Sequence, residues 1–294
     1  MTAPNPLFKY YNNHCSLCGA KCNADRTKVA GLCKAGTSVK VASATLHFGE
    51  EPPISGSNGS GTIFLSHCSM SCIYCQNYPI SQMGVGNDRT IDWLSNKMLE
   101  LQSDKAHNIN FVTPTHYSFH LYDAVMQARK AGLSIPIVWN TSSFENPETV
   151  KFIDEIADIY LADIRYSNDK DALELSGINN YNDIVLKNIK YFFNAKSHLE
   201  LNGKGIAVKG LLIRVLLLPG RVKECKEILD FIKRELGNET YVSVMSQYVP
   251  YYKALQHKEL KVRVSKEEYD MVLEHADKLN LENAFIQEIG CMEE

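Results

Sequence analysis

This sequence predicts an α/β fold: a partial (β/α)6 TIM-like barrel of six strand–helix units, preceded by a small four-cysteine module. Three observations carry the prediction. From Gly61 onward, short apolar runs rich in β-branched residues alternate with longer amphipathic segments, the pattern of successive strand–helix units. The apolar runs end in polar residues, which suits parallel strands whose C-terminal ends carry a site. The cysteines fall in two clusters, one before the alternation and one directly after its first strand. Six units are too few for the eight of a complete barrel of roughly 250 residues; an open doubly wound sheet is the alternative. A chain of 294 residues with 45% hydrophobic content can bury a full core. The expected division is residues 1–60 for the module and linker and 61–294 for the barrel.

The module holds Cys15, Cys18, Cys22 and Cys33, spaced C-x2-C-x3-C-x10-C, with Gly19, Gly31 and Gly36 supplying turns. Four thiolates make a closed site, and tetrahedral zinc and an auxiliary iron–sulfur cluster both accept them. A segment this poor in apolar residues needs a metal to hold its shape. Val39 to Ser60, with Glu50-Glu51-Pro52-Pro53 and then Ser55-Gly56-Ser57-Asn58-Gly59-Ser60, reads as a loop or hairpin tip.

The first strand, about Thr62 to Ser66, runs straight into the second cysteine cluster. A helix from Asp92 to His107 leads to a second strand, Ile109 to Thr113, and a helix from Ser118 to Gly132 to a third, Ile135 to Asn140. The fourth strand is Ile159 to Ile164; the fifth, Val208 to Leu218, is closed by Pro219-Gly220 and followed by a helix from Val222 to Leu236. The sixth is Tyr241 to Gln247, and a last helix, Ser265 to Leu279, opens on the capping box Ser265-Lys266-Glu267-Glu268. Ala284 to Glu288 is a candidate further strand.

Composition narrows the function classes. Lys and Arg (31) are interspersed with Asp and Glu (34) for a formal net charge of -3, so there is no electrostatic footprint for nucleic acid or an anionic membrane. The first residues lack the charged-then-apolar signal pattern, and the most apolar run, Leu211 to Leu218, is short and interrupted by Arg214. A cytoplasmic protein is expected. Nine cysteines there read as metal chemistry in a reducing compartment, not as a disulfide framework. Cys225, in a predicted helix, reads as a small buried hydrophobe, and Cys291 is unassigned.

The second cluster, Cys68-Ser69-Met70-Ser71-Cys72-Ile73-Tyr74-Cys75, is the centre of the chain. Its C-x3-C-x2-C spacing puts three thiolates in one short loop and then stops. Structural zinc and electron-carrying [4Fe-4S] clusters normally close with four protein ligands, so three suggest a cluster with one iron left open to a substrate or cofactor. Three structural cysteines, or a zinc knuckle borrowing a distant ligand, is the bland alternative.

The loop, with Tyr74 before its last cysteine and Thr62-Ile63-Phe64-Leu65 leading in, resembles the radical S-adenosylmethionine (SAM) superfamily, and within it the pyruvate formate-lyase activating enzyme and homologues with an added N-terminal cysteine segment. The resemblance covers nearly the whole chain and implies an oxidoreductase. In it Cys68, Cys72 and Cys75 hold a [4Fe-4S] cluster, SAM is cleaved reductively, and a 5′-deoxyadenosyl radical abstracts hydrogen. Where the family carries Gly-Gly-Glu for the SAM amino group, this chain has Thr113-Pro114-Thr115-His116, making Thr113, Thr115 and His116 the candidates. Asn140 and Ser142 match a strand-end element facing SAM's ribose and carboxylate. Asp163-Ile164-Arg165 resembles an Asp-x-Lys element, with a planar guanidinium in place of an amine.

Arg214, inside an apolar strand, must meet an anion, either SAM's carboxylate or Asp163. Gln247 and Tyr248 are candidates for adenine or substrate, and Tyr74 joins the cofactor set. Expected partners are a flavodoxin- or ferredoxin-type electron donor and a glycyl-radical enzyme or peptide. Radical modification of a small molecule or peptide, and a non-catalytic iron–sulfur protein, are the competing readings.

Overall fold

Period-two alternation along the strands decides what faces inward. A computed structural model describes residues 4–11 and 13–286. Its strands are β1 (Val39–His47), β2 (Ser60–Leu65), β3 (Asn87–Arg89), β4 (Ile109–Val112), β5 (Ile137–Thr141), β6 (Ile159–Asp163), β7 (Glu200–Leu201), β8 (Ala207–Leu216), β9 (Tyr241–Met245) and β10 (Ala284–Ile286). They form one curved path in the order β10-β9-β8-β6-β5-β4-β2-β1-β3, with β7 pairing β8 off it. From β2 to β10 every neighbouring pair on the path is parallel. The two end strands, β3 and β10, do not pair with each other among the described residues. This is the open α/β barrel expected from the sequence.

Alternate residues sort onto two faces. Ile137 and Trp139 of β5, Tyr160 and Ala162 of β6, and Leu211, Ile213 and Val215 of β8 join the large core beneath the surrounding helices. Their neighbours Val138, Ile159, Leu161 and Leu212 point inward to a smaller core that Ile54 completes. Two residues further along the same inner face come Asn140, Asp163 and Arg214, so an apolar layer is succeeded by a polar one toward the strand C-termini.

The six predicted strands lie at or within two residues of their expected limits, and Ala284–Ile286 adds a seventh parallel strand beside β9. Ser265 caps the helix Lys266–Lys278 in the predicted capping box, both of its bonds present. Val39 to Ser60 corrects the loop reading. Its first half is β1, antiparallel to β2, with Val39 and Val41 buried in the core; after it a short helix, Pro52–Ser55, sets Ile54 into the barrel. The Val-x-Val alternation was the strand signal, and the Pro/Ser/Gly-rich residues that follow masked it. The helices Asp169–Ser176 and Tyr181–Lys196, between β6 and β8, had no sequence-based expectation.

The N-terminal segment packs on the loop after β5. Gly19 N donates to Phe144 O (2.9 Å), Asn146 N to Leu17 O (3.1 Å) and Asn146 Nδ2 to Ser16 O (2.7 Å). A Cβ at Gly19 would stand 2.7 Å from the Phe144 ring, so only glycine allows the approach. Arg26 Nη1 donates to His116 O at 2.6 Å and Nε to Gly36 O at 2.9 Å, tying the segment also to the turn after β4. Among the described residues, no helix is long and apolar enough to cross a membrane.

Candidate active site

The cysteine loop leaves β2 through His67, whose φ of 71° turns the chain sharply before Cys68. Three backbone bonds hold it. Ser71 N and Ile73 N donate to Ser176 O (3.2 Å) and Leu175 O (2.9 Å) at the end of the helix Asp169–Ser176, and Ala254 N donates to Ile73 O (2.9 Å). Each sulfur has a hydrogen-bonding neighbour: Met70 N to Cys68 (3.4 Å), Ser176 Oγ to Cys72 (3.0 Å) and Ser81 Oγ at 3.1 Å from Cys75. Three thiols so supported fit thiolates that carry metal charge, since donors to sulfur are the usual outer shell of such ligands. Burial pushes the Cys68 and Cys75 thiols up, so loading metal there displaces protons.

All three cysteines line a cavity of about 460 Å³ at the strand C-terminal ends. The inner polar layer forms one wall of it. Arg214 donates from Nε to Asp163 (2.7 Å), from Nη1 to Glu50 (3.2 Å) and from Nη2 to Asn140 (2.6 Å), while Arg165 Nη2 reaches Asp163 at 2.5 Å. Burial alone would lower the Arg214 pKa, but the charges of Asp163, Glu51 and Glu50 outweigh it and the pKa is raised. Burial raises that of Glu50, with Arg214 opposing. Arg214 thus pairs with Asp163, one of the two partners expected for it, and its five N–H groups leave two beyond these three bonds on a side chain that itself lines the cavity. Arg165 Nε is buried without a partner.

Thr113, Asn140, Ser142, Asp163, Arg165 and Gln247 all line this cavity. Thr113 takes a φ of 56°, held by Thr113 N to Asn140 O at 2.9 Å. Tyr74 and Tyr248 instead line an adjoining space of about 200 Å³ that shares Cys75, Asp163, Arg165 and Gln247. Thr115 and His116 are corrections, since neither lines either cavity. Thr115 Oγ1 donates to Glu145 (3.0 Å), and His116 Nε2 is 2.9 Å from Ser66 O, an acceptor that requires the proton on that nitrogen. Both side chains are buried by the turn that follows β4.

Burial drives the His116 pKa from 6.5 down to about 3. The unfolded chain then binds the extra proton first, so this contribution to stability is complete above pH 6.5 and is lost as pH falls toward 3. Chemical denaturation between those limits is expected to show wild-type stability falling with acid, and a His116→Gln chain is expected to lack that part of the slope.

Glu50 and Glu145 were not anticipated. Glu50 sits in the stretch read as a loop, and Glu145 is fully buried, accepting from Trp139 Nε1 (3.1 Å), Thr115 and Thr141 beside its backbone bridge to Cys18. Nothing in their local sequence marks either. In the module, a Cβ at Gly31 would lie 3.3 Å from Cys33 Sγ and 3.5 Å from Cys22 Sγ, so the two sulfurs flank one glycine. Among the described residues no three Cys, His, Asp or Glu side chains form a ready-made single-ion site, in the module or in the central loop. Cys225 is a buried helix residue as expected; Cys291 lies outside the described residues.

Residues 62–232 match the model of the radical SAM superfamily. The uncharacterized protein MJ0674 of Methanocaldococcus jannaschii is 31% identical over 287 residues, covering 94% of this chain and 78% of that protein. Among solved structures, Streptococcus suis SuiB bound to S-adenosylmethionine superposes with a TM-score of 0.53 at 14% identity over 75% of this chain and 48% of SuiB. HydG, a maturase of the [FeFe]-hydrogenase, does so with 0.51 at 12% identity, over 76% of this chain and 50% of its own. This chain thus spans about half the length of those two proteins and shares their fold. With the family match covering more than half of the sequence, the chain belongs to the radical SAM superfamily, whose cofactors are a [4Fe-4S] cluster and S-adenosylmethionine.

Proposed function

We propose that Cys68, Cys72 and Cys75 hold the [4Fe-4S] cluster and that the hydrogen atom is taken from a backbone segment of a partner protein, as in activation of a glycyl-radical enzyme. The observation that supports this most is the meeting of three thiols and a charged inner layer in one cavity, within a sheet whose end strands do not pair with each other among the described residues. SuiB, which shares the fold, has been solved with its precursor peptide SuiA.

When bound, the cluster supplies the electron that splits SAM into methionine and a 5′-deoxyadenosyl radical, which removes hydrogen from the substrate. The chain's own part is to bind, orient and exclude water. Arg165, with its unpartnered Nε, takes the SAM carboxylate beside Arg214. Thr113, Asn140 and Ser142 offer oxygens to the amino group and ribose, and Gln247, with Tyr74 and Tyr248 beside it, faces adenine or substrate. Cys15, Cys18, Cys22 and Cys33 hold zinc or a second cluster in the segment before β1, which itself belongs to the barrel sheet, and a flavodoxin- or ferredoxin-type protein in the cytoplasm supplies electrons.

Anaerobic reconstitution followed by metal counting and electron paramagnetic resonance tests these assignments. A cluster signal that shifts on adding SAM is expected, with about four irons plus zinc, or about eight irons if the module holds a cluster. A glycyl-radical signal on mixing with candidate partners supports activation. SAM cleavage with no such signal on any cognate partner points to modification of a small molecule or peptide, and a cluster that leaves SAM intact points to a non-catalytic iron–sulfur protein.

A further inference from the structure

Cys72 differs from its two neighbours in what stands behind its donor. Ser176 Oγ donates to Cys72 Sγ at 3.0 Å, the Tyr166 hydroxyl lies 2.6 Å from Ser176 Oγ, and the Tyr74 hydroxyl lies 2.8 Å from that of Tyr166. All four side chains are buried. Each hydroxyl has one proton to give, and a metal-bound thiolate can only accept. The proton of Ser176 is committed to Cys72, so Ser176 accepts from Tyr166, and Tyr166 in turn accepts from Tyr74. Every bond then points the same way, Tyr74 to Tyr166 to Ser176 to Cys72.

The chain is also anchored at both ends. Ser71 N and Ile73 N, on either side of Cys72, are bonded to the carbonyls of Ser176 and Leu175. Gly177, at a φ of 67°, ends the helix there in the left-handed conformation that glycine adopts freely. Tyr74 belongs to the cysteine loop itself, so the hydroxyl chain and the backbone bonds form one closed circuit around Cys72.

We propose that this oriented hydroxyl chain tunes the reduction potential of the cluster, with Ser176 as the positioning residue that delivers it to Cys72. A donor on a ligating sulfur withdraws charge and favours the more negative, reduced cluster. Donors in series in a low-dielectric interior polarise one another and strengthen that effect. The inference rests on Cys72 being a cluster ligand.

The test is a potentiometric titration of the reconstituted full-length chain, followed by electron paramagnetic resonance without SAM. Ser176→Ala is expected to lower the reduced-to-oxidised ratio at a fixed potential about tenfold, which is about 59 mV for a one-electron couple. Ser176→Thr, which keeps the hydroxyl, is expected to restore the wild-type ratio. Tyr166→Phe, which leaves Ser176 in place, is expected to move the ratio in the same direction by less. A Ser176→Ala protein with full iron and sulfide content and an unmoved midpoint overturns the proposal. If that variant does not load a cluster, an unmoved midpoint in Tyr166→Phe overturns it instead. Failure of the underlying assignment looks different: Cys72→Ala would then retain a SAM-responsive cluster.

Discussion

Alanine at Cys68, Cys72 or Cys75 is expected to reduce SAM cleavage by ~10³-fold or more, equivalent to ~4 kcal/mol of barrier or above. The three thiols come from one short loop, and all of them face the same cavity. A cluster held by three protein ligands has no spare one, so losing any thiolate exposes a second iron and the cluster is not retained. Formation of methionine and 5′-deoxyadenosine by the reduced protein is the readout, beside iron content. Cys225→Ala is the matching control, because that thiol is buried in the helix Val222–Leu236 and lines neither of the two cavities that the cysteine loop borders. Undiminished turnover in all three loop variants would remove the cluster from this loop.

The second large effect concerns stability. Arg214→Met is expected to destabilise the chain by about 3 kcal/mol, because it leaves Glu50 a buried carboxylate without a cation and Asp163 with Arg165 alone. The side chains of Arg214, Asp163 and Glu50 are 16%, 10% and 8% exposed, so solvent cannot take over that role. For a chain of this length the midpoint of thermal unfolding should fall by roughly 10 °C. Adding Glu50→Gln to Arg214→Met is expected to recover part of the loss, since one uncompensated charge is then removed as well. Thermal melts of the single and double variants measure this, and a double variant as unstable as the sum of the singles would mean that the two side chains are not coupled.

The two kinds of site residue differ in how visible they are. Cys68, Cys72 and Cys75 are legible because their spacing is local: one loop brings them together whatever the rest of the chain does. Asn140, Asp163 and Arg214 are legible as polar interruptions of apolar strands. Their partners are not, because Arg214 is equally well paired on paper with a ligand or with Asp163. The choice depends on Glu50, which comes from 164 residues away to complete the set. His116 illustrates the reverse error. It follows a strand end, as a site residue would, yet the turn that carries it aims the ring at Ser66 O beside β2 and away from the cavity.

Ser176 was invisible for a third reason. A serine before glycine at a helix end reads as a simple stop signal, and only the docking of that helix on the cysteine loop gives its hydroxyl a sulfur to donate to.

By itself the sequence determined the open α/β barrel, the six central strands, the cysteine loop and the superfamily, since each is written in a local period or spacing that folding cannot rearrange. Only the tertiary structure decided that β1 joins the sheet, that Ile54 packs inside it, that Arg214 is engaged by Asp163, Glu50 and Asn140, and that Tyr74, Tyr166 and Ser176 line up behind Cys72. Those outcomes depend on which buried donor finds which acceptor across distant segments, and that pairing is settled when the strands and helices pack.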